Sequence, residues 1–205
     1  MREMRVAPCA MILVILRSTL VMCTCLLLGA CATPSTNYLP ELTFRHLAPI
    51  SLEVASIKMV SRGIQRTETP HVGYRFPIPP EKALKKWAED RLQLAGNKGT
   101  ARFTILEAQV TETKLRTNKK MTDLFKKEVS ERYDATVKAR LEILDDLGNS
   151  LAVVTSQANW SQTVREDTTL ADRRRIWLEM IEKLMGRFNT EMEMTIQRYM
   201  TKFLL

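Results

Sequence analysis

Apolar and polar residues alternate most regularly between Tyr133 and Ile143. Every second residue of this stretch is apolar, and the intervening residues are charged or carry a hydroxyl group. The pattern therefore predicts a strand with one dry face and one solvated face. The turn sequence from Asp145 to Asn149 follows directly and predicts a hairpin. The partner strand is marked by apolar side chains at Ala152, Val154, Ala158, Trp160 and Val164.

Two further strands are predicted upstream of this hairpin. Residues Ala101 to Leu115 alternate as well, with a slip at Leu106 that indicates a bulge. A run rich in β-branched residues from Ser51 to Val60 predicts the first strand, with a similar slip at Ala55. Glycine and proline residues break any period between Arg62 and Ile78, so this stretch is predicted to be an irregular connection.

The first of two predicted helices opens at Pro79 and Pro80, because proline is tolerated in a first helical turn. Gly96 is predicted to end it in a left-handed conformation. Apolar positions three and four apart form one stripe that would lie on a sheet, and Trp87 is predicted to be a core residue. The stripe consists of Ala83, Leu84, Trp87, Ala88, Arg91 or Leu92, and Ala95.

The second predicted helix is long. Thr169 is placed to cap its start, with Asp172 three residues on, and the apolar period continues to Leu204. Such a helix would measure about 50 Å, so it should overhang a small sheet, bend near Gly186 or pack on another chain. Its methionines are predicted to fill the core, and they are Met180, Met185, Met192, Met194 and Met200.

Together these elements predict an α+β fold with the order β-α-β-β-β-α. The sheet should have four strands and be largely antiparallel, because the last three strands follow one another without an intervening helix. The first helix carries one apolar stripe that would lie on a sheet, and the dry face of the strand from Tyr133 to Ile143 is typical of a sheet covered on one side. The length is sufficient for one domain with its own core.

The chain before this domain contains a short basic start, an apolar run and then Leu28-Gly29-Ala30-Cys31. This combination resembles the lipobox of bacterial lipoproteins. The resemblance implies that the thiol of Cys31 receives a diacylglyceryl group, that a signal peptidase cuts before it, and that the new amino terminus is acylated. It implies a signal peptide at residues 1–30, a lipidated tether at residues 31–50 and a single periplasmic domain at residues 51–205.

Arg17 divides the apolar run and leaves a second interpretation open. Neither half reaches the roughly 20 residues that a spanning helix needs. Read as one segment, the run could stay as an uncleaved anchor helix, although a central arginine costs about 2.5 to 3.5 kcal/mol. Both interpretations place the domain outside the cytoplasm. Ala32 follows the cysteine where an aspartate marks inner-membrane retention in well-studied envelopes, which favours the outer membrane without excluding the inner one.

Cysteine usage and charge narrow the chemistry further. The four cysteines all lie at or before the predicted cut, so a disulfide framework and a thiolate metal site are excluded; they are Cys9, Cys23, Cys25 and Cys31. His46 and His71 are distant in sequence, no metal-ligand spacing is visible, and no cofactor is predicted. The chain has 31 basic and 23 acidic residues, and residues 1–30 hold three arginines and one glutamate, which leaves a net charge of +6 on residues 31–205.

An exported basic domain meets anionic head groups, lipopolysaccharide phosphates or acidic protein surfaces, so nucleic acid is not expected as a partner. The alternative is a mixed solvated surface whose excess charge binds nothing. The segment from Lys114 to Arg132 concentrates basic residues around a small apolar group, which suits contact with anionic amphiphiles. In the alternative interpretation its apolar side chains fold onto the domain while its lysines stay in water. The predicted lipid- or partner-contact residues are Lys119, Lys120, Met121, Leu124, Phe125, Lys126 and Lys127.

No catalytic residue is predicted. Adjacent acids occur in the hairpin turn and before the last helix, and Glu191 and Glu193 point to different helix faces, so no acid–base pair is apparent. A nucleophile elbow, a phosphate-binding glycine loop and a zinc motif are all absent from the sequence.

The element order behind a lipobox resembles the lipopolysaccharide-assembly lipoproteins that plug the outer-membrane translocon barrel. That resemblance implies two helices packed on one face of a four-stranded sheet, contact with lipopolysaccharide through basic loop residues, and a barrel as protein partner. Similar orders occur in lipoproteins that activate peptidoglycan synthases and in auxiliary lipoproteins of lipid-transport ABC systems. We therefore expect a non-catalytic membrane-anchored lipoprotein of envelope assembly or lipid transport, which binds an envelope protein or anionic lipid. The alternative from another class is a small periplasmic hydrolase, which would need a polar cleft with a carboxylate pair or an activated nucleophile.

Overall fold

The structure is a computed structural model that describes residues 41–62, 66–115, 129–165 and 167–205. Short 3-10 helices occupy Gly73–Arg75 and Thr201–Phe203. The strands and longer helices are, in chain order, β1 (Ile50–Leu52), β2 (Ser56–Ser61), α1 (Pro80–Arg91), β3 (Leu92–Leu94), β4 (Thr100–Lys114), β5 (Val129–Leu144), β6 (Ser150–Arg165) and α2 (Leu170–Tyr199). The predicted α+β fold is confirmed.

The main sheet has the strand order β2-β4-β5-β6. The strands β4, β5 and β6 pair antiparallel, whereas β2 runs parallel to the first part of β4. The predicted alternation is confirmed, because every apolar side chain from Tyr133 to Ile143 is buried. The predicted slip at Leu106 is also confirmed, since the register of β4 against β5 shifts between Ile105 and Glu107.

The predicted first strand is in fact two strands. The strand is broken at Ala55 and has no bulge there. Strand β1 pairs in parallel with β3 in a separate small sheet. The break arises because the N–H of Ala55 donates to the carbonyls of Lys98 and Gly99. Leu52 and the nearby Val54 are both buried. Strands of three residues are too short to show a period in sequence.

Helix α1 begins at Pro80 as predicted, and its Trp87 is a core residue as predicted. The predicted end at Gly96 is wrong. The helix ends at Arg91, and Leu92 is already extended and opens β3. Gly96 instead lies against the backbone before β2, where an added Cβ atom would come within 2.5 Å of the carbonyl carbon of Glu53. A close approach of two chain segments therefore requires this glycine.

The connection before α1 covers part of β4. The N–H of Val72 donates to the carbonyl of Val110, and the N–H of Glu112 donates to the carbonyl of Pro70. These bonds lie beyond Ile105, the last residue of β4 that pairs with β2. The irregular stretch therefore forms hydrogen bonds with the part of β4 that β2 does not reach.

Helix α2 starts after Thr169, whose side-chain oxygen accepts the N–H of Asp172, as predicted for its cap. Its 30 residues span about 45 Å. The expected overhang is not required, because β5 and β6 have 16 residues each and extend for about 50 Å. The prediction that the methionines fill the core is confirmed for four of the five, while Met194 is exposed; the buried ones are Met180, Met185, Met192 and Met200.

Residues 41–49, which the sequence assigns to the tether, pack against the domain. Leu42 and Phe44 are buried. The carboxylate of Asp90, in the last turn of α1, accepts the N–H of Phe44 at 2.9 Å, the hydroxyl of Thr43 at 3.1 Å and Nε of Arg45 at 3.3 Å. The packed domain therefore begins before residue 51, and the chain enters it beside the last turn of α1.

The main sheet has two distinct ends. We call one the turn end, which holds the Asp145–Asn149 turn, the start of β4 and the small sheet; the N–H of Gly99 donates to the Asp146 carboxylate there. We call the other the basic end, which holds Lys114, Val129, Arg165 and the start of α2, because Val129 lies opposite Arg165. Residue 41 enters near the turn end. No helix in the described ranges is long and apolar enough to cross a membrane.

Candidate functional site

All seven predicted contact residues lie outside the described residues, as does Cys31. The structure therefore tests neither the contact prediction nor lipidation. It does show the framework to which residues 116–128 are attached. These residues connect the end of β4 with the start of β5, and both strand ends lie at the basic end.

Three buried aromatic side chains form the core of the basic end. The rings of Phe76 and Trp177 are stacked with their centroids 4.7 Å apart. Tyr133 meets both of these rings edge-on, at 6.0 and 5.6 Å. Such pairs contribute about 0.5 to 1.5 kcal/mol beyond the burial of their area. They join the connection before α1, strand β5 and helix α2 into one rigid base.

An ion pair covers this aromatic cluster. The Tyr133 hydroxyl donates to the carboxylate of Glu131 at 2.8 Å, and Arg173 of α2 pairs with the same carboxylate. Arg173 also donates to the Tyr133 oxygen at 3.0 Å. Burial, together with the hydrogen bond to Glu131, raises the pKa of Tyr133 to about 12. The phenol therefore stays protonated and holds the start of β5 to α2.

Several cations at the basic end are neutralised locally. Arg132 pairs with Asp134 at 2.7 Å, and Arg165 pairs with Asp167 at 3.4 Å. Others are exposed and form no ion pair within the described part of the chain; these are Lys114, Arg174 and Arg175. The N-terminus of a helix carries partial positive charge. The start of α2 therefore adds to the positive potential of these side chains.

The sequence interpretation found the lysines of this end but missed the arginines of α2. One signal was available, because three consecutive arginines from Arg173 to Arg175 stand in the first two turns of a helix, where cations are disfavoured. Arg173 has a structural role in pairing with Glu131. Arg174 and Arg175 face solvent. Only the antiparallel register of the strands brings them to the same end as Lys114.

Two cavities are candidate active sites, and neither is lined by two carboxylates. A cavity of about 30 Å³ beside His71 has Glu81 as its only acidic lining residue. An open groove of about 550 Å³ between β6 and α2 has only Glu191. Among the described residues, no group of three or more His, Cys, Asp or Glu side chains is arranged to hold a metal. These two cavities therefore lack the carboxylate pair that a hydrolase would need.

Comparison with known proteins shows distant structural similarity and no match in sequence. No family model matches the chain, and no curated protein matches it. Among solved structures, the chain is similar to a minor lipoprotein from Acinetobacter baumannii, with 15% sequence identity and a TM-score of 0.36. The similarity covers 72% of this chain and 96% of that chain. A similarity of this degree assigns neither a family nor a function.

Proposed function

We propose that this protein is a non-catalytic lipoprotein of the cell envelope, anchored through acyl chains on Cys31, whose basic end binds an anionic surface. That surface is anionic lipid, lipopolysaccharide or an acidic patch on a protein partner. The supporting observation is that Lys114, Arg174 and Arg175 are exposed at the end of the domain to which residues 116–128 are attached. We propose that the predicted contact lysines act together with these three cations.

The charge distribution supports this proposal. Residues 115–128 contain five basic and two acidic side chains, which gives a net charge of +3. Adding Lys114, Arg174 and Arg175 and subtracting Asp172, in the first turn of α2, gives +5, which is most of the net charge of +6 on residues 31–205. The rest of these residues therefore carries a net charge of only +1. A surface that contacts only water does not require positive charge to be concentrated at one end, whereas binding of phosphates or carboxylates does.

The rigid base supports binding in a second way. The aromatic cluster and the pair between Glu131 and Arg173 fix the first residues of β5 and the first turns of α2. Arg174 and Arg175 are therefore held in place before a ligand arrives, which lowers the entropic cost of binding.

The length of the tether limits where this ligand can be. Nine residues, 32–40, separate the predicted lipidated cysteine from the first described residue, and the fully extended chain from residue 31 to residue 41 reaches about 35 Å. The basic end lies about 50 Å from the turn end along β5. With this tether the domain cannot invert completely on its own anchor, and the basic end reaches the anchoring leaflet only if the domain lies on its side. A ligand presented from the periplasm fits this geometry.

Charge reversal tests the proposed binding. Replacing Lys119, Lys120, Lys126 and Lys127 with glutamate should abolish binding of the protein in detergent to lipopolysaccharide or to phosphatidylglycerol micelles. A matched variant reverses four lysines elsewhere, Lys58, Lys82, Lys138 and Lys183, and changes the net charge by the same amount. It should retain most of the binding at moderate salt. Equal binding by both variants and the wild type would eliminate the proposed contact.

The anchor is tested separately. Mass spectrometry of the protein purified from membranes should find a peptide that begins at Cys31 and carries acyl chains. A chain that retains residues 1–30 would overturn the lipoprotein assignment. Crosslinking of the lipidated protein in intact cells would show whether the basic end contacts lipid or a protein. An activator of a peptidoglycan synthase would require a protein contact.

A further inference from the structure

Several large apolar side chains are exposed at the turn end. Leu147 is 88% exposed, Leu151 is 54% exposed and Leu94 is 52% exposed. Val153 and Tyr199 are exposed at the same end. Single exposed leucines are ordinary on protein surfaces, but a group of this kind at one end of a domain indicates an interaction site. We call Leu94, Leu147 and Leu151 the leucine group.

The structure holds the leucine group in a defined position. The Asp145 carboxylate accepts the N–H groups of Leu147 and Asn149 and the side-chain amide of Asn149. These bonds, with the amide of Asn149 first, lower the pKa of Asp145, so the turn keeps this form at neutral pH. The turn is fastened to the start of β4 by the bond from Gly99 to Asp146. Leu147 thus projects from a fixed apex.

Leu94 belongs to the same end through the small sheet. It lies beside Leu52 in the register of β1 and β3, and only five residues, 95–99, separate it from the start of β4. The chain entering at residue 41 is fixed to Asp90, which lies in the helical turn immediately before β3. The leucine group and the point where the tether joins the domain are therefore at one end of the molecule.

The leucine group lies at the end where the tether joins the domain, and this position indicates that the bilayer is what the leucines contact. The chain from residue 31 to residue 41 spans at most about 35 Å, so the turn end is kept within that distance of the bilayer whatever angle the tether takes. Exposed leucines next to a membrane partition into the headgroup region. Lys98, Arg198 and Lys202 are exposed near this end, and so are the acidic residues Glu53 and Asp146. With Asp145 included these charges balance, so the apolar contact of the leucines carries the proposal.

We propose that the turn end of the domain rests on the bilayer that holds its anchor, with Leu94, Leu147 and Leu151 in the headgroup region. The proposal relies on the proposed function only for a membrane anchor in front of residue 41. It gives the domain a fixed orientation, in which β4, β5 and β6 stand away from the membrane and the basic end is farthest from it.

Depth-dependent quenching tests the proposal. The full chain is reconstituted into vesicles of phosphatidylcholine and phosphatidylglycerol that contain a lipid with a headgroup nitroxide. A fluorescent unnatural amino acid is placed at position 150 or at position 163, near the two ends of β6. The label at position 150 should be quenched, and the label at position 163 should not. Equal, weak quenching at both positions in protein that floats with the vesicles would overturn the proposal.

Two variants sharpen this test. Changing Leu94, Leu147 and Leu151 to serine should lower the quenching at position 150 to the level found at position 163. The control changes three exposed apolar residues elsewhere, Met59, Val60 and Leu170, to serine and should leave the quenching unchanged; if both variants lower it equally, the leucine group is not the contact. Failure of the lipoprotein assignment is read separately, from the mass of the N-terminal peptide, because an uncleaved apolar run would still hold residue 41 near the bilayer.

Discussion

Asn189 connects the two helices through a buried hydrogen bond. Its side-chain oxygen accepts Nε1–H of Trp87 at 2.8 Å, and its amide nitrogen lies 3.4 Å from Glu193. Glu193 in turn pairs at 2.7 Å with Arg91, whose side chain is almost fully buried and also donates to the carbonyl of Ala48. One polar chain thus joins α1, α2 and the N-terminal segment within an otherwise apolar core.

Replacing Asn189 with leucine should destabilise the domain. The substitution leaves the indole N–H of Trp87 buried without a partner, which costs about 1 to 3 kcal/mol. Urea unfolding followed by circular dichroism would measure the loss. Thr190→Ala is the control, because this exposed hydroxyl bonds only to the carbonyl of Gly186 in its own helix. An unchanged midpoint in the Asn189 variant would show that the bond carries no net stability.

Asp90 should make stability depend on acid pH. Burial, the largest single influence, would raise the pKa of this carboxyl, but hydrogen bonds from Phe44, Lys86, Thr43 and Arg45 outweigh it and lower the pKa to about 2, from an ordinary value of 3.8. Because the folded pKa is lower than the unfolded one, the ionised carboxylate stabilises the folded state above about pH 4. This contribution is lost as the pH falls towards 2.

The Asp90→Asn variant should therefore unfold at lower urea than the wild type at neutral pH, and the difference should shrink between pH 4 and pH 2. The exposed neighbour Glu89, changed to glutamine, serves as the control and should show little difference at either pH. A difference for Asp90→Asn that stays constant down to pH 2 would contradict the assigned role of its charge.

At the scale of elements, two glycines with opposite surroundings give a paired prediction. A Cβ atom at Gly96 would lie 2.5 Å from the carbonyl carbon of Glu53 and 2.6 Å from the nitrogen of Val54, so the backbone between β1 and β2 would have to move. Gly96→Ala should cost about 1 to 3 kcal/mol.

At Gly186, inside α2, a Cβ atom meets nothing within 4 Å, and Gly186→Ala should gain up to about 1 kcal/mol in helix propensity. Thermal unfolding of both variants measures these changes, and a stable Gly96→Ala protein would contradict the close approach.

The elements that the sequence predicts well are those that repeat one pattern over many residues. The strand from Tyr133 to Ile143 has one fully buried face, so burial alone dictates its alternation. The small sheet of β1 and β3 could not be predicted, because three residues show no period. Gly96 was misread for a related reason: a glycine shortly after a helical stripe normally indicates a helix cap, and the segment it touches lies about 40 positions earlier in the chain.

The candidate site was predictable only in part. A run such as Lys119, Lys120, Lys126 and Lys127 is visible in sequence because its residues are neighbours. Arg174 and Arg175 are about 60 positions away from Lys114, and only the register of β4, β5 and β6 brings these three residues to one end. Sites assembled from distant segments depend on tertiary structure, which local patterns do not contain.

For the whole molecule, the two ends of the sheet are chemically different, and the segment that enters the domain at residue 41 lies near the turn end, where Leu94, Leu147 and Leu151 are exposed. With the native tether, a fluorescent residue at position 163 should remain unquenched by headgroup nitroxides, because the proposed orientation holds the basic end about 50 Å from the bilayer. Inserting 20 flexible residues between positions 40 and 41 removes the restriction, since the extended tether then reaches about 100 Å. Quenching at position 163 should now appear on vesicles that contain phosphatidylglycerol, where the cations find anionic headgroups. It should be absent on pure phosphatidylcholine and fall at high salt, as an electrostatic contact must. Strong quenching at position 163 with the native tether would show instead that the domain lies on its side, with both ends at the membrane.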